Sequence, residues 1–280
     1  LACWQLNYLK KEWKDKFLSY SFTIPYLMGI SIFLRMDMLM TFLVTLSLSL
    51  FIYFYFNRNK INNIKLFFLY LSIFLGIFTK GALGGILPIL IIYIFLYLES
   101  DLKFFNNLHW KKGILFLVFF FSIWLIILYF QPNGTEYIKL LLGKQTIGRA
   151  YKSYSHARPF YYYFIYLPLT FLPYGIFYIY GFFKYLINLE RRKTWTLFEK
   201  WAFSWSIPPF ILLSIISGKL QIYLLPLYIG MIFLSLIVKD KLIKKYEFLV
   251  SVEKNIQKYV YILYFFLPVG LLIYNKYFIQ

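Results

Sequence analysis

The sequence is poor in three kinds of chemistry. It has one cysteine, Cys3, in 280 residues, which excludes an internal disulfide. It has two histidines and no Cys-x-x-Cys or His-rich run, so no metal pattern is written in it. Asp and Glu number 11 against 30 Lys and Arg, and charged residues of both signs make up 15%. That is too little charge to solvate the surface of a water-soluble domain. The chain opens at Leu1 without the charged start, short apolar run and small-residue cleavage site of a secretory signal. It reads as a fragment or a truncated gene product.

Apolar and aromatic residues fill the space. Hydrophobic residues are 61%, with 33 Phe and 28 Tyr, and the mean hydropathy is +0.65. This is the composition of a polytopic membrane protein. The formal charge of +19 would suggest a nucleic-acid partner in a soluble protein. Here the cations fall in short loops between apolar runs, so topology explains them and no nucleic acid is expected. The Phe/Tyr/Ile/Leu/Lys/Asn bias has the look of an AT-rich genome, so aromatic abundance alone carries no function.

A bilayer core takes about 20 apolar residues per helix. Nine candidate spans follow: 17–34, 38–56, 66–79, 82–98, 113–130, 164–183, 201–217, 220–238 and 259–275. The third and fourth are short and are separated only by Thr79, Lys80 and Gly81, as in a hairpin whose tip dips below the surface. With the N-terminus in the cytoplasm, the inside segments are 1–16, 57–65, 99–112, 184–200 and 239–258. They hold four, three, three, five and six cations, which is about 21 of the 30. The nine outside are Arg35, Lys80, Lys139, Lys144, Arg149, Lys152, Arg158, Lys219 and Lys276. The expected fold is therefore all-α: a polytopic transmembrane helical bundle of about nine spans, one domain over 1–280. Its longest outward loop is 131–163. No internal repeat or low-complexity linker interrupts it.

Four outward turns carry compact polar motifs. In the first, Arg35 precedes Asp37 at the start of a span. A carboxylate there must pair or face a wet cavity, and the helix N-terminus favours its charge. The bland alternative is a capping Asp with an interfacial Arg. In the second, Gly81 permits a tight turn and Lys80 stands where it meets a phosphate or merely snorkels. The third is the basic, aromatic stretch Gly148-Arg149 to Tyr161-Tyr162-Tyr163. Arg149 and Arg158 suit two-pronged phosphate binding, and the tyrosines suit an interfacial belt. His156 in this loop serves acid–base chemistry, metal binding or local hydrogen bonding. In the fourth, Ser217-Gly218-Lys219-Leu220 leads to Tyr223 and Pro226. Any of these cations alone is incidental. Four outward turns that each hold one suggest a shared anionic ligand.

In this order the four motifs resemble the GT-C superfamily of membrane glycosyltransferases, in the branch of the protein O-mannosyltransferases and the lipid A aminoarabinose transferase. Arg35 and Asp37 match an Arg-x-Asp at the start of an outward span. Thr79, Lys80 and Gly81 match a Thr-Lys-Gly-Pro turn, with Ala82 in place of Pro. Gly148, Arg149, His156, Pro159, Phe160 and Tyr161 to Tyr163 match the long loop. Ser217, Lys219, Leu220, Tyr223, Leu225 and Pro226 match a Ser-Lys-Leu-x-x-Tyr-x-Leu-Pro turn, with Gly218 and Leu224 inserted. The family's principal catalytic carboxylate lies in a first outer loop, and no outward acidic residue precedes Arg35 here, so that group is expected upstream of Leu1.

The resemblance implies a bacterial inner-membrane enzyme with its active face outside. It would move a sugar from a polyprenyl-phosphate donor to a lipid A-like glycolipid or a protein. Asp37 and His156 become the catalytic candidates. Arg35, Lys80, Arg149, Arg158, Lys219, Tyr161, Tyr162, Tyr163 and Tyr223 become the substrate- and phosphate-binding ones. Fixed cations suffice for a phosphate leaving group, so no cofactor is required, while the resemblance leaves room for a divalent metal. Three other readings compete: a transporter, an inactive scaffold, and a polymerase or ligase of surface glycans. Transport would place charges at the midplane of broken helices, whereas the span interiors here are nearly free of charge.

Overall fold

The structure is a computed structural model. It describes residues 1–33, 35–140, 157–243, 251, 255, 257–262 and 266. Among them there is no strand; helices form the whole framework, joined by short 3₁₀ turns and a lone bridge between Ala157 and Gly218.

Two short helices open the chain, α1 (Ala2–Leu9) and α2 (Lys14–Phe22). The predicted inside segment 1–16 thus contains a docked helix, which composition did not reveal. Gln5 fixes it. Its amide donates to Ser49 Oγ at 2.8 Å and accepts from the Trp201 indole N–H at 3.1 Å. All three side chains are buried, so each polar atom finds its partner inside the protein.

The predicted first span, 17–34, is broken. Pro25 lacks an N–H and drives Ile24 into extended backbone, so α2 stops and α3 (Pro25–Ile32) starts anew. The predicted sixth span, 164–183, is broken as well, into α10 and α11 below. The two breaks meet: the Thr23 hydroxyl lies 2.6 Å from the Tyr174 hydroxyl. Interrupted backbone inside a membrane protein needs polar partners of this kind.

Next come α4 (Met36–Phe56), α5 (Asn63–Lys80) and α6 (Ala82–Leu98). The Asn62 side chain caps α5 by accepting from Lys65 N at 2.9 Å. A single residue, Gly81, joins α5 to α6 with φ +70°, a conformation that glycine adopts without the steric penalty of a side chain. Gly76 and Gly84 then let the two backbones touch, since a Cβ built on Gly84 would sit 1.9 Å from the Gly76 carbonyl oxygen. The expected hairpin is thus present.

The short α7 (Phe104–Asn107) leads into α8 (Trp110–Tyr129) and α9 (Gly134–Leu140). After residue 157 follow α10 (Tyr162–Thr170), α11 (Gly175–Ile187), α12 (Leu197–Ile215) and α13 (Leu225–Ile243). The helices α12 and α13 form the centre, with Trp201, Trp205, Phe210, Met231 and Phe233 fully buried. Among the described residues, four segments are long and apolar enough to cross a membrane: Met36–Phe56, Asn63–Lys80, Trp110–Tyr129 and Gln221–Leu242. Most of the predicted ninth span, 259–275, lies outside the described residues.

The chemistry separates to opposite ends of this bundle. At the end assigned to the cytoplasm, ion pairs stitch the five predicted inside segments together. Arg58 pairs with Asp101 and Lys241 with Glu199. Lys200 reaches Glu99 at 2.9 Å, and Lys16 stands 3.8 Å from Asp240. The other end holds the four motif-bearing turns.

Candidate functional site

Asp37 sits in the first turn of α4 and is 5% exposed. Lys80, the last residue of α5, forms an ion pair with it. The Arg35 Nε lies 3.9 Å from the other carboxylate oxygen, with the Arg35 side chain largely in the open. One carboxylate thus draws two cations from two different turns, as a buried charge requires.

Lys80 also binds the fourth turn. Its Nζ stands 4.5 Å from the centre of the Tyr223 ring, a cation–π distance. Tyr223 belongs to the 3₁₀ turn Gln221–Leu224 that leads into α13. The fourth turn in turn holds the third. The Lys219 ammonium donates to the carbonyl oxygens of Arg158 at 3.0 Å and Ile216 at 2.5 Å. Arg158 N donates to Ser217 O at 3.1 Å, beside the bridge between Ala157 and Gly218. The Tyr163 hydroxyl donates to Leu220 O at 3.2 Å. All four turns predicted to face outward therefore meet at one end of the bundle.

The cations do not play equal parts there. Lys219 is 2% exposed, and burial lowers its pKa from the ordinary lysine value. Two of its three protons are spent on backbone carbonyls, so it fastens one turn to another. Lys80 is committed to Asp37 and Tyr223. By contrast, Arg158 is exposed and has no carboxylate beside it among the described residues; its guanidinium rests 5.8 Å from the Tyr162 ring. Among the described residues of the four turns, Arg35 and Arg158 are thus the cations with hydrogen-bonding capacity left for an anion. Arg149 and His156 lie outside the described residues.

The tyrosine triplet does not act as a set. Tyr163 is fully buried against Phe210, with ring centres 6.1 Å apart, and serves the packing. Tyr162 is half-buried under Arg158, and Tyr161 is exposed. The three tyrosines expected to share an interfacial belt stand in three settings, Tyr163 in the core, Tyr162 half-buried and Tyr161 exposed, because successive residues of a helical turn point about 100° apart.

No family model matches the chain. It is 26% identical over 238 residues to the undecaprenyl phosphate-alpha-4-amino-4-deoxy-L-arabinose arabinosyl transferase of Wigglesworthia glossinidia brevipalpis, covering 78% of this chain and 39% of that protein. It is 26% identical over 157 residues to an uncharacterised protein of Aquifex aeolicus, covering 56% and 29%. The crystal structure of ArnT from Cupriavidus metallidurans bound to undecaprenyl phosphate superposes with a TM-score of 0.64 at 15% identity, over 85% of this chain and 43% of that one. The apo state gives 0.57.

The chain has the membrane fold of ArnT.

It spans less than half the length of these relatives. Within this ArnT-like fold, two residues near the motifs carry no signal in the sequence. Tyr26, on α3, lies within electrostatic range of Arg35 and Tyr162. It is one of 28 tyrosines and no motif marks it. Gln221 follows Lys219 by two positions, and both atoms of its buried amide lack a hydrogen-bond partner among the described residues. Its position in the fourth motif is one that any residue fills, so the sequence singled out its neighbours instead. Among the described residues no three His, Cys, Asp or Glu side chains gather at one point.

Proposed function

We propose that the chain belongs to a glycosyltransferase that moves a sugar from a polyprenyl-phosphate donor to a glycolipid, lipid A-like, or to a protein acceptor at the outer face of the bacterial inner membrane. The observation that carries this reading is the junction of Asp37, Lys80 and Tyr223, which draws three of the four outward motifs to one point, with Arg35 against Asp37 and the Arg158 backbone tied to the fourth turn through Lys219. A polytopic fold suits a donor whose tail stays in the bilayer while its head reacts at the surface.

In this proposal Arg35 and Arg158, with Arg149, hold the phosphate. Phosphate becomes the leaving group as the acceptor hydroxyl attacks the sugar carbon, and fixed cations stabilise the charge that develops on it. Lys80 lends its field to the same place and is held there by Asp37. Lys219 keeps the third and fourth turns in register. A base must take the acceptor proton; His156 and Asp37 are the candidates within this chain. Tyr26 and Tyr162 form walls, and the Gln221 amide supplies a donor and an acceptor for hydroxyl groups.

Binding separates this reading from transport or a scaffold without needing turnover. In detergent, the chain should retain undecaprenyl phosphate, and Arg35→Ala or Arg158→Ala should each weaken retention about 10-fold, the loss of a charge-assisted pair of hydrogen bonds. In membranes competent for transfer, the same variants should lower the rate about 100-fold, as removal of one oxyanion-stabilising donor does. Wild-type retention in both variants removes the phosphate clamp.

A further inference from the structure

The end of the bundle opposite to Asp37 carries a second cation cluster that sugar transfer does not use. A cavity of about 290 Å3 opens between the C-terminal end of α11, the 3₁₀ turn Leu189–Thr194, the start of α12 and the end of α13. Lys184, Arg191 and Lys241 line it, with Glu199, Tyr185 and Trp195. Three cations face a single carboxylate.

That carboxylate is fully engaged. One Glu199 oxygen pairs with Lys241 and accepts from the Tyr185 hydroxyl at 2.5 Å. The other accepts from Thr196 N at 2.7 Å and Thr196 Oγ1 at 2.9 Å, closing the capping box of α12. Lys184 and Arg191 form no hydrogen bond with Glu199 among the described residues. Neither has a carboxylate within ion-pair distance among the described residues; the Lys184 ammonium stands 5.6 Å from the Tyr180 ring and feels the Glu199 charge only from beyond that distance. Among the described residues that line it, the cavity therefore carries two positive charges in excess.

Its surroundings identify the anion's class. Tyr180, Phe183, Lys184 and Ile187 recur at helical spacing and share one face of α11. Tyr180 is 47% exposed, Phe183 50% and Ile187 79%. An exposed apolar stripe thus leads directly to an unpaired ammonium. A soluble phosphate has no use for such a stripe, whereas a phospholipid needs it for its acyl chains. We infer that this cavity binds the phosphate headgroup of an anionic phospholipid in the leaflet that the positive charge count assigns to the cytoplasm, with its acyl chains along Tyr180, Phe183 and Ile187. Basic pockets between membrane helices recognise anionic headgroups by this combination of charge and apolar wall.

The test uses the chain in phosphatidylcholine nanodiscs doped with phosphatidylglycerol, with retained lipid counted by native mass spectrometry and the melting midpoint followed in parallel. The wild type should hold phosphatidylglycerol in preference to phosphatidylcholine and melt several degrees higher with it. Lys184→Gln with Arg191→Gln should reduce the preference at least 10-fold; among the described residues neither side chain hydrogen-bonds to another side chain, so the fold should survive. Lys111→Gln with Lys112→Gln removes the same charge from the same face and should leave the preference intact. Three results would overturn the site: no preference in the wild type, equal loss in the control pair, or equal stabilisation by inorganic phosphate in pure phosphatidylcholine. None bears on undecaprenyl phosphate at the other end.

Discussion

At Asp37, sequence and structure say different amounts. A carboxylate two residues after an arginine at the mouth of an apolar run is bound to seek a partner, and Arg35 is the obvious one. The structure gives the closer contact to Lys80, 43 positions away. Lys80→Met should therefore be the more damaging change, because it strands a side chain that is 7% exposed. Breaking a buried pair of this sort costs about 3 kcal/mol, whereas Arg35→Met, which removes a contact at 3.9 Å from an open side chain, should cost well under about 1 kcal/mol. Thermal unfolding in detergent checks the order. Asp37→Asn with Lys80→Met should recover part of the loss; equal midpoints for the two single variants would show that Asp37 does not depend on Lys80.

Helix boundaries depend on chemistry that is mostly local, yet the sequence reading took apolar runs as its guide and passed over several of the residues that set them. Asn62 and Thr196 are side-chain caps, and Gly81 is the residue that a one-residue link between helices demands. The interruptions at Ile24 and Phe171–Tyr174 were not foreseen, although Pro25 and Pro173 stand in the sequence. Proline is also tolerated inside α6 and α12, so its presence alone does not distinguish a kink from a break. Contact between helices decides other positions. Gly84→Ala should destabilise the hairpin of α5 and α6 on the order of 3 kcal/mol, the upper end for overpacking, because the new methyl meets backbone oxygen that cannot move aside. Gly29→Ala, which has nothing within 4 Å of its Cβ, should be tolerated. Melting midpoints that fall together would show that the close approach of the two backbones is not what Gly84 provides.

The bundle as a whole has two chemically different ends, and its orientation follows from the positive-inside count rather than from the coordinates. In a Cys3→Ser background, Glu190→Cys should react with an impermeant maleimide only after the membrane is opened, and Tyr161→Cys should react in sealed cells. Both residues are exposed. The reverse pattern would turn the molecule over, moving the proposed sugar transfer to the cytoplasm and the proposed lipid pocket to the outer leaflet.

Composition and charge placement by themselves determined that this chain is a membrane bundle and which loops share a side, since apolar run length and loop charge are properties of sequence alone. The order of the four motifs was also visible, because each occupies one short turn. What only the tertiary structure decided was which cations remain available. Lys80 and Lys219 look the same in sequence as any interfacial lysine, yet one is bound to Asp37 and Tyr223 and the other to two backbone carbonyls. Arg35 and Arg158 keep hydrogen-bonding capacity at the same end. Lys184 and Arg191 keep theirs because Glu199 is saturated by Thr196, Tyr185 and Lys241. Charge is written residue by residue, but its compensation depends on partners brought close by packing.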